Sequence, residues 1–229
     1  MMKNTFTFLL IFTIYSVSAQ KKHETLFDNG RVKEIGQYDK NNKPNGEWKR
    51  YYETGELKEV FEFEEGNLVG EWKFYKESGK LSNIIYLNTG LTENFDEQGK
   101  LFSSGKQIIN KGKQGEWKEY YSNGNLKRVE NYLDDIKNGP YKSYESDGSL
   151  YAEGQYKDNK EEGLWKYYYK DNVLKEIGIR KNGHRDGDWK EYHINGKLMW
   201  LRKYDAGNKT GSWEFYDNLG KLIKKENYN

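Results

Sequence analysis

The chain of 229 residues contains no cysteine, only two prolines, and almost no long apolar run. Without cysteine there are no disulfides to staple a small core and no thiolate chemistry, so stability has to come from packing. Its 38 basic and 36 acidic side chains nearly cancel, leaving a formal charge of +2. A field this balanced excludes nucleic acid and gives no reason for an anionic surface as partner. The one apolar run, Phe6 to Val17 behind Lys3, is too short to span a bilayer of about 30 Å. With Val17 and Ala19 before Gln20 it reads as a secretory signal peptide over 1–19, and nothing later is hydrophobic enough to cross a membrane. The remainder, 20–229, is expected in the periplasm or outside the cell.

What is plentiful is aromatic: 20 Tyr, 10 Phe and 7 Trp, against only 34% hydrophobic residues in all. Rings of roughly 150–250 Å² each concentrate apolar area. A thin aromatic core with little aliphatic filling favours a shape of high surface-to-volume ratio over a round globule.

The aromatics recur with a period. GEWKFYKESGKL at 70 returns as GEWKEYYSNGNL at 115, GDWKEYHINGKL at 187 and GSWEFYDNLGKL at 211. With the glycine of GEWK as phase 0, units start at or near 21, 46, 70, 90, 115, 139, 163, 187 and 211, so nine copies fill the chain after the leader. Phase 2 is Trp48, Trp72, Trp117, Tyr141, Trp165, Trp189 and Trp213, with His23 and Thr92 in the two weakest copies. Phase 5 is Tyr51, Tyr75, Phe95, Tyr120, Tyr144, Tyr168, Tyr192 and Tyr216. Phase 9 is Gly30, Gly55, Gly79, Gly99, Gly124, Gly148, Gly196 and Gly220, and Asn172 in the remaining copy. Asn is the residue after Gly that best tolerates positive φ, so phase 9 is a left-handed turn position.

Each unit is therefore a β-hairpin with a three-residue loop at phases 7–9. This register sets the phase 5 ring opposite the phase 11 leucine and the phase 2 Trp opposite an aliphatic phase 14 (Val60, Ile84, Val129, Ile177, Leu201). A second turn near phase 20 joins consecutive hairpins, and the aromatic phase 17 lies beside the next unit's Trp. Phases 14 and 17 differ by an odd number, so one residue must be absorbed, and the phase 15 glycines (Gly36, Gly105, Gly154, Gly178) are the expected β-bulge. The fold class is all-β: an elongated single-layer antiparallel meander of nine stacked hairpins.

The run Gly-Glu-Trp-Lys-x-Tyr followed by Gly-Lys-Leu resembles the bacterial variant of the MORN repeat, a family in which some members carry the label of YwqK-type antitoxins. The resemblance covers the chain after the leader and is weakest at Gly90, where Thr92 and Asn94 depart from the pattern. It implies an elongated interaction scaffold without chemistry of its own. An export signal fits an antitoxin role only as immunity against a toxin acting outside the cytoplasm.

No catalytic motif, cofactor fingerprint or metal site stands out. His23, His184 and His193 fall in different rows, and the acidic pairs Glu64-Glu65, Asp134-Asp135 and Glu161-Glu162 read as solvated turn charges. The phase 3 lysines (Lys49, Lys73, Lys118, Lys142, Lys166, Lys190) read as a solvated sheet face interspersed with glutamates. Two roles remain for the ring rows, a structural ladder or a platform for sugars. Recognition is sought where copies differ: Phe74, Tyr121, Tyr167, Tyr169, His193, Trp200 and Phe215. The expected partner is another protein, with a cell-wall glycan as the alternative. The charged termini (Lys224, Lys225, Glu226) predict a monomer.

Overall fold

In the computed structural model, residues 21–108 and 110–229 are described; the signal peptide expectation lies outside them. Among the described residues the chain forms 19 strands of one antiparallel sheet. Consecutive strands pair with one another, except that the two-residue strand Ile136–Lys137 pairs only with Leu126–Leu133, which also pairs with Gly139–Tyr144. This exception arises where the incoming strand before Gly139 breaks after Ile136–Lys137. Pro140 follows that break, and a proline cannot donate to the ladder. The strand count thus exceeds two per copy.

The hairpin loops form as the spacing requires. In the second unit the Tyr52 N–H donates to the Glu56 carbonyl at 2.8 Å and the Gly55 N–H to the Tyr52 carbonyl at 2.9 Å. Gly55 has φ 104° and Asn172, the single non-glycine at that phase, φ 58°. Tyr51 lies opposite Leu57, and the same pair recurs as Tyr168–Leu174 and Tyr192–Leu198. Five of the eight turns between hairpins take two left-handed residues in succession, such as Asn182 at 52° and Gly183 at 87°, which is a type I′ turn. Only the second residue of each pair was marked by the sequence pattern; the first includes Glu65 and Ala206, at φ 50° and 46°.

Two expectations are corrected. The Trp does not face phase 14: Trp48 is opposite Phe61, Trp165 opposite Gly178 and Trp189 opposite Arg202, all at phase 15. One residue is bulged out beside the turn, between phases 11 and 13 (Lys58 in the second unit), and shifts the register by one. Phase 14 therefore faces the phase 3 lysine, as in Lys49–Val60 and Lys166–Ile177. Phases 15 and 17 share parity with the Trp, and the difficulty over odd spacing disappears.

The phase 15 glycines do lie at the register irregularity between units, which falls at Gly105, Gly154 and Gly178, but the extra residues are on the strand they face and none of Gly36, Gly105, Gly154 and Gly178 has positive φ. They are seats for the next unit's indole. A Cβ built on them would lie 2.2 to 2.4 Å from ring carbons of Trp48, Trp117, Trp165 and Trp189. The irregular register between units is carried on the opposite strand, by the phase 0 glycine of the next copy, for example Gly187 at φ 65°. It leaves a phase 16 carbonyl free of the ladder, and in three copies the indole N–H takes it, Trp117 on Lys106, Trp189 on Ile179 and Trp213 on Lys203, at 2.9 to 3.0 Å, whereas Trp72 donates to Glu59 and the indole N–H groups of Trp48 and Trp165 are buried without a partner.

The result is a core on one face. The buried hydrophobic side chains among the described residues are Trp48, Phe61, Trp117, Ala152, Trp165, Trp189 and Trp213, all at phases 2, 13 or 15. Cationic side chains close over the rings from the solvent side: Arg185 lies 4.2 Å from the Trp189 centroid, Lys113 4.5 Å from Trp117 and Lys209 4.6 Å from Trp213. The phase 5 tyrosines and phase 3 lysines occupy the other face. The two rings of each copy thus build separate ladders on opposite sides of the sheet.

Candidate interaction surface

The tryptophan face carries much of the difference between copies, because phases 4, 13 and 15 vary more than phase 2, which is Trp or Tyr in seven of nine copies. Phase 4 faces phase 13 both within a hairpin and across to the preceding one, so a change at one has two neighbours to satisfy. Charged residues there are matched. Arg50 Nε bonds Glu34 at 2.6 Å and Arg50 Nη1 bonds Glu59 at 3.1 Å. Glu176 and Glu191 are directly opposite each other, and Arg202 bridges them. Arg185 adds a bond to Glu176 at 3.0 Å and Arg180 an ion pair to Glu161 at 3.2 Å. Burial opposes the charge on Glu34, yet the hydrogen bonds from Arg50 and His23 prevail and hold its carboxyl below the usual range. These networks went unread in the sequence, although their signal was there: opposite charges replace one another at phases 4 and 13.

The seven residues singled out for recognition fall into three groups. Tyr121, Tyr169 and His193, at phase 6, are bound to the scaffold. The Tyr121 hydroxyl donates to the Tyr144 carbonyl at 2.8 Å and that of Tyr169 to the Tyr192 carbonyl at 3.1 Å, while His193 Nε2 lies 2.9 Å from the Tyr216 carbonyl. Tyr52 makes the same bond to Tyr75. Phe74 stacks on Trp72 at 4.9 Å, and Tyr167 sits between Trp165 and Trp189 at 6.2 and 6.5 Å, so both extend the ring ladder. Trp200 and Phe215 are brought together: they are cross-strand partners with centroids 4.7 Å apart.

Around that pair the surface turns apolar. Met199 and Ile223 hold phase 12, the bulged residue, which lies on this face, as the 6.2 Å contact of Tyr151 with Tyr167 shows. Where phase 6 is aromatic, phase 12 is a lysine lying over the ring, as Lys58 over Tyr52 and Lys175 over Tyr169. Where phase 6 is neither Phe nor Tyr, as at His193, that lysine is gone and the position is open to Phe102, Tyr151, Met199 or Ile223. Ile223 is 55% exposed. Trp200, Phe215, Met199 and Ile223 thus form an apolar patch over the last two units, bordered by Lys224 opposite Phe215 and by the Arg202 network.

Comparison with known families matches the MORN repeat variant to residues 44–65, 68–88, 113–134, 137–158, 161–182 and 209–229, together more than half of the chain. The chain belongs to the MORN repeat variant family. The MORN matches leave out the first copy, the copy at Gly90 and the copy at Gly187, and the last of these is the one that supplies Met199 and Trp200. No curated protein matches the chain. Two solved structures align with it, described as the TcdB2-TccC3-TEV crystal structure and a Photorhabdus luminescens Tc holotoxin pore. The first is 15% identical over 89% of this chain and 13% of that one, the second 16% identical over 91% and 13%, each with a TM-score of 0.24. The MORN chain therefore spans a small fraction of either.

The copy at Gly90 keeps the MORN geometry in reduced form. Its incoming strand begins at Leu91, and Thr92, buried at 3% exposure, takes the indole's place opposite Ile85. A small phase 2 residue here meets a large phase 15 residue, the reverse of Trp on Gly. No helix among the described residues is long and apolar enough to cross a membrane. Nor do they hold a group of three or more His, Cys, Asp or Glu able to bind a metal.

Proposed function

We propose that the chain is a non-catalytic, exported scaffold of a bacterial envelope that binds another protein through the tryptophan face of its last two units. Membership of a repeat family that serves as scaffolding supports the coarse reading. The observation that carries the finer one is the Trp200–Phe215 pair with Met199 and Ile223. These apolar groups gather in one place, beside the paired charges of Arg202 and Glu191 on that face. Apolar patches of this kind on a soluble surface mark contacts with partners. An immunity-like role, occupying a toxin outside the cytoplasm, is compatible with it.

Glycan binding has less support. The ladder rings that would stack on sugars are occupied: Trp165 and Trp189 are 2% and 0% exposed, seated on glycine and covered by guanidinium or phenol groups.

The test places a photo-crosslinking amino acid at Phe215 in the full chain, expressed in its own envelope, with the same probe at Ser82 as control. One discrete crosslinked protein at Phe215 that is absent at Ser82 and lost with Trp200→Glu supports the reading. Quenching of tryptophan fluorescence by a cell-wall polysaccharide, with no protein adduct, replaces it with the glycan alternative. The export claim is checked separately by sequencing the mature N-terminus, expected at Gln20.

A further inference from the structure

The face opposite the tryptophans changes character half-way along the sheet. In the first half each phase 3 lysine has its own carboxylate two residues earlier: Lys49–Glu47 at 2.6 Å, Lys73–Glu71 at 2.9 Å and Lys118–Glu116 at 3.1 Å. In the units at Gly139 and Gly163 that glutamate is replaced by Pro140 and Leu164. Lys142 and Lys166 then share one carboxylate, Glu153, at 3.9 and 3.1 Å. Lys190 has no carboxylate within ion-pair distance among the described residues. The acid two residues before Lys190 is the shorter Asp188, whose cross-strand partner is Lys203, so Lys142, Lys166 and Lys190 have one ion-paired carboxylate between them against one each for Lys49, Lys73 and Lys118.

The register turns this into a defined pattern. Running across the strands are Lys142, Glu153, Lys166, Ile177, Lys190 and Leu201, each opposite the next. The lysines stand on every second strand, about 10 Å apart. Beside that row, Leu164 and Ile179 face each other and are 46% and 42% exposed, at positions where the second unit pairs Glu47 with Glu62. Between Pro140 and Lys166 lies a shallow hollow of about 270 Å³.

We propose that this half of the lysine face docks an acidic segment of another protein, carboxylates on Lys142, Lys166 and Lys190 and aliphatic side chains on Leu164, Ile177 and Ile179. Charge complementarity selects the partner's sign, and the exposed aliphatic pair supplies the area that ions alone do not. Glu153 in the middle of the row favours a segment of fixed sequence, which can leave a gap opposite it, over a fluid anionic surface, which cannot. Three carboxylates spaced by three residues of polyproline II chain, which returns to the same face every three residues at about 3.1 Å each, match the lysine spacing. The surface lies on the opposite side from the Trp200 patch and stands or falls independently of it.

The test titrates the full chain into a fluorescein-labelled peptide of four Glu-Val-Ser repeats, with Glu-Ser-Ser and Lys-Val-Ser peptides as controls, and pellets the chain in parallel with phosphatidylserine–phosphatidylcholine vesicles. Saturable binding of the Glu-Val-Ser peptide is expected, about ten-fold weaker for Glu-Ser-Ser and about ten-fold weaker again for the charge-reversed K142E/K166E/K190E chain. A second variant, L164S/I179S, keeps every lysine and leaves the buried face untouched; it is expected to lose affinity for Glu-Val-Ser while leaving the weak Glu-Ser-Ser binding unchanged. No saturable binding of Glu-Val-Ser, or binding that neither variant alters, overturns the proposal. So does vesicle pelleting that the triple variant abolishes while the peptide fails to bind, which would assign the row to a lipid surface.

Discussion

At the scale of single residues, two kinds of glycine carry this fold for different reasons, and substitution separates them. Gly178 has an ordinary backbone but no room, since a Cβ would meet Trp189 at 2.2 Å. Gly148 has open space around it but φ 90°. Gly178→Ala must push a fully buried indole off its seat and off the Ile179 carbonyl, and is expected to destabilise by about 2–3 kcal/mol. Gly148→Ala carries only left-handed strain, about 1 kcal/mol. Urea unfolding followed by tryptophan fluorescence should rank them in that order, and equal losses would mean that the indole has another place to go. Ala206 is the reverse case, a side chain forced to φ 46° at the first position of a type I′ turn. Ala206→Asn creates Asn-Gly, the pair this turn prefers, and should raise stability by about 0.5–1 kcal/mol in the same assay.

At the scale of the element, the hairpin was legible in the sequence and its face was not. Tyr opposite Leu follows from the distance of each to the phase 9 glycine, and a loop of known length fixes that pairing. Trp opposite phase 15 depends on the bulge at phase 12, which Lys58, Phe102, Tyr151, Met199 and Ile223 all fill, so no residue type announces it. The phase 15 glycine was legible as a backbone irregularity, which the register between units bears out, but its second role as a cleared space depends on the position of the neighbouring indole, in another copy. Charge pairing across copies was equally hidden, because the partners lie in different units. Glu130 illustrates what such a pair does. Burial works against its charge, but hydrogen bonds from Lys137 and Tyr132, with Arg128 close by, outweigh burial and hold the carboxyl below its ordinary value of 4.5. A carboxyl depressed by folding contributes stability that is complete above its unfolded pKa and is lost as pH falls through the folded one. Urea midpoints should therefore drop as pH falls below about 4.5, and Glu130→Gln should flatten that dependence while costing about 1–3 kcal/mol at neutral pH. A variant with the wild-type acid slope would show that Glu130 is not among the carboxylates that set it.

At the scale of the whole molecule, copies touch only their neighbours, through the indole on the preceding strand, in three copies a phase 6 hydroxyl on the following unit's carbonyl, and at five junctions a type I′ turn. Nothing in this scheme brings distant copies together, so length grows with strand number. With strands about 4.8 Å apart, and the broken strand at Ile136–Tyr144 filling a single position, the sheet is roughly 80–85 Å long before twist shortens it. A rod of that length has a radius of gyration of roughly 25 Å, whereas a compact domain of this size has about 17 Å. Small-angle scattering of the monomer should lie nearer the first value. The same one-dimensional contact scheme makes stability a sum of unit and neighbour terms. Gly178→Ala should accordingly lower hydrogen-exchange protection in the strands around Trp189 and leave the first hairpins nearly unchanged. A compact scattering profile, or protection lost evenly from end to end, would require contacts between distant copies that the ladder of rings does not provide.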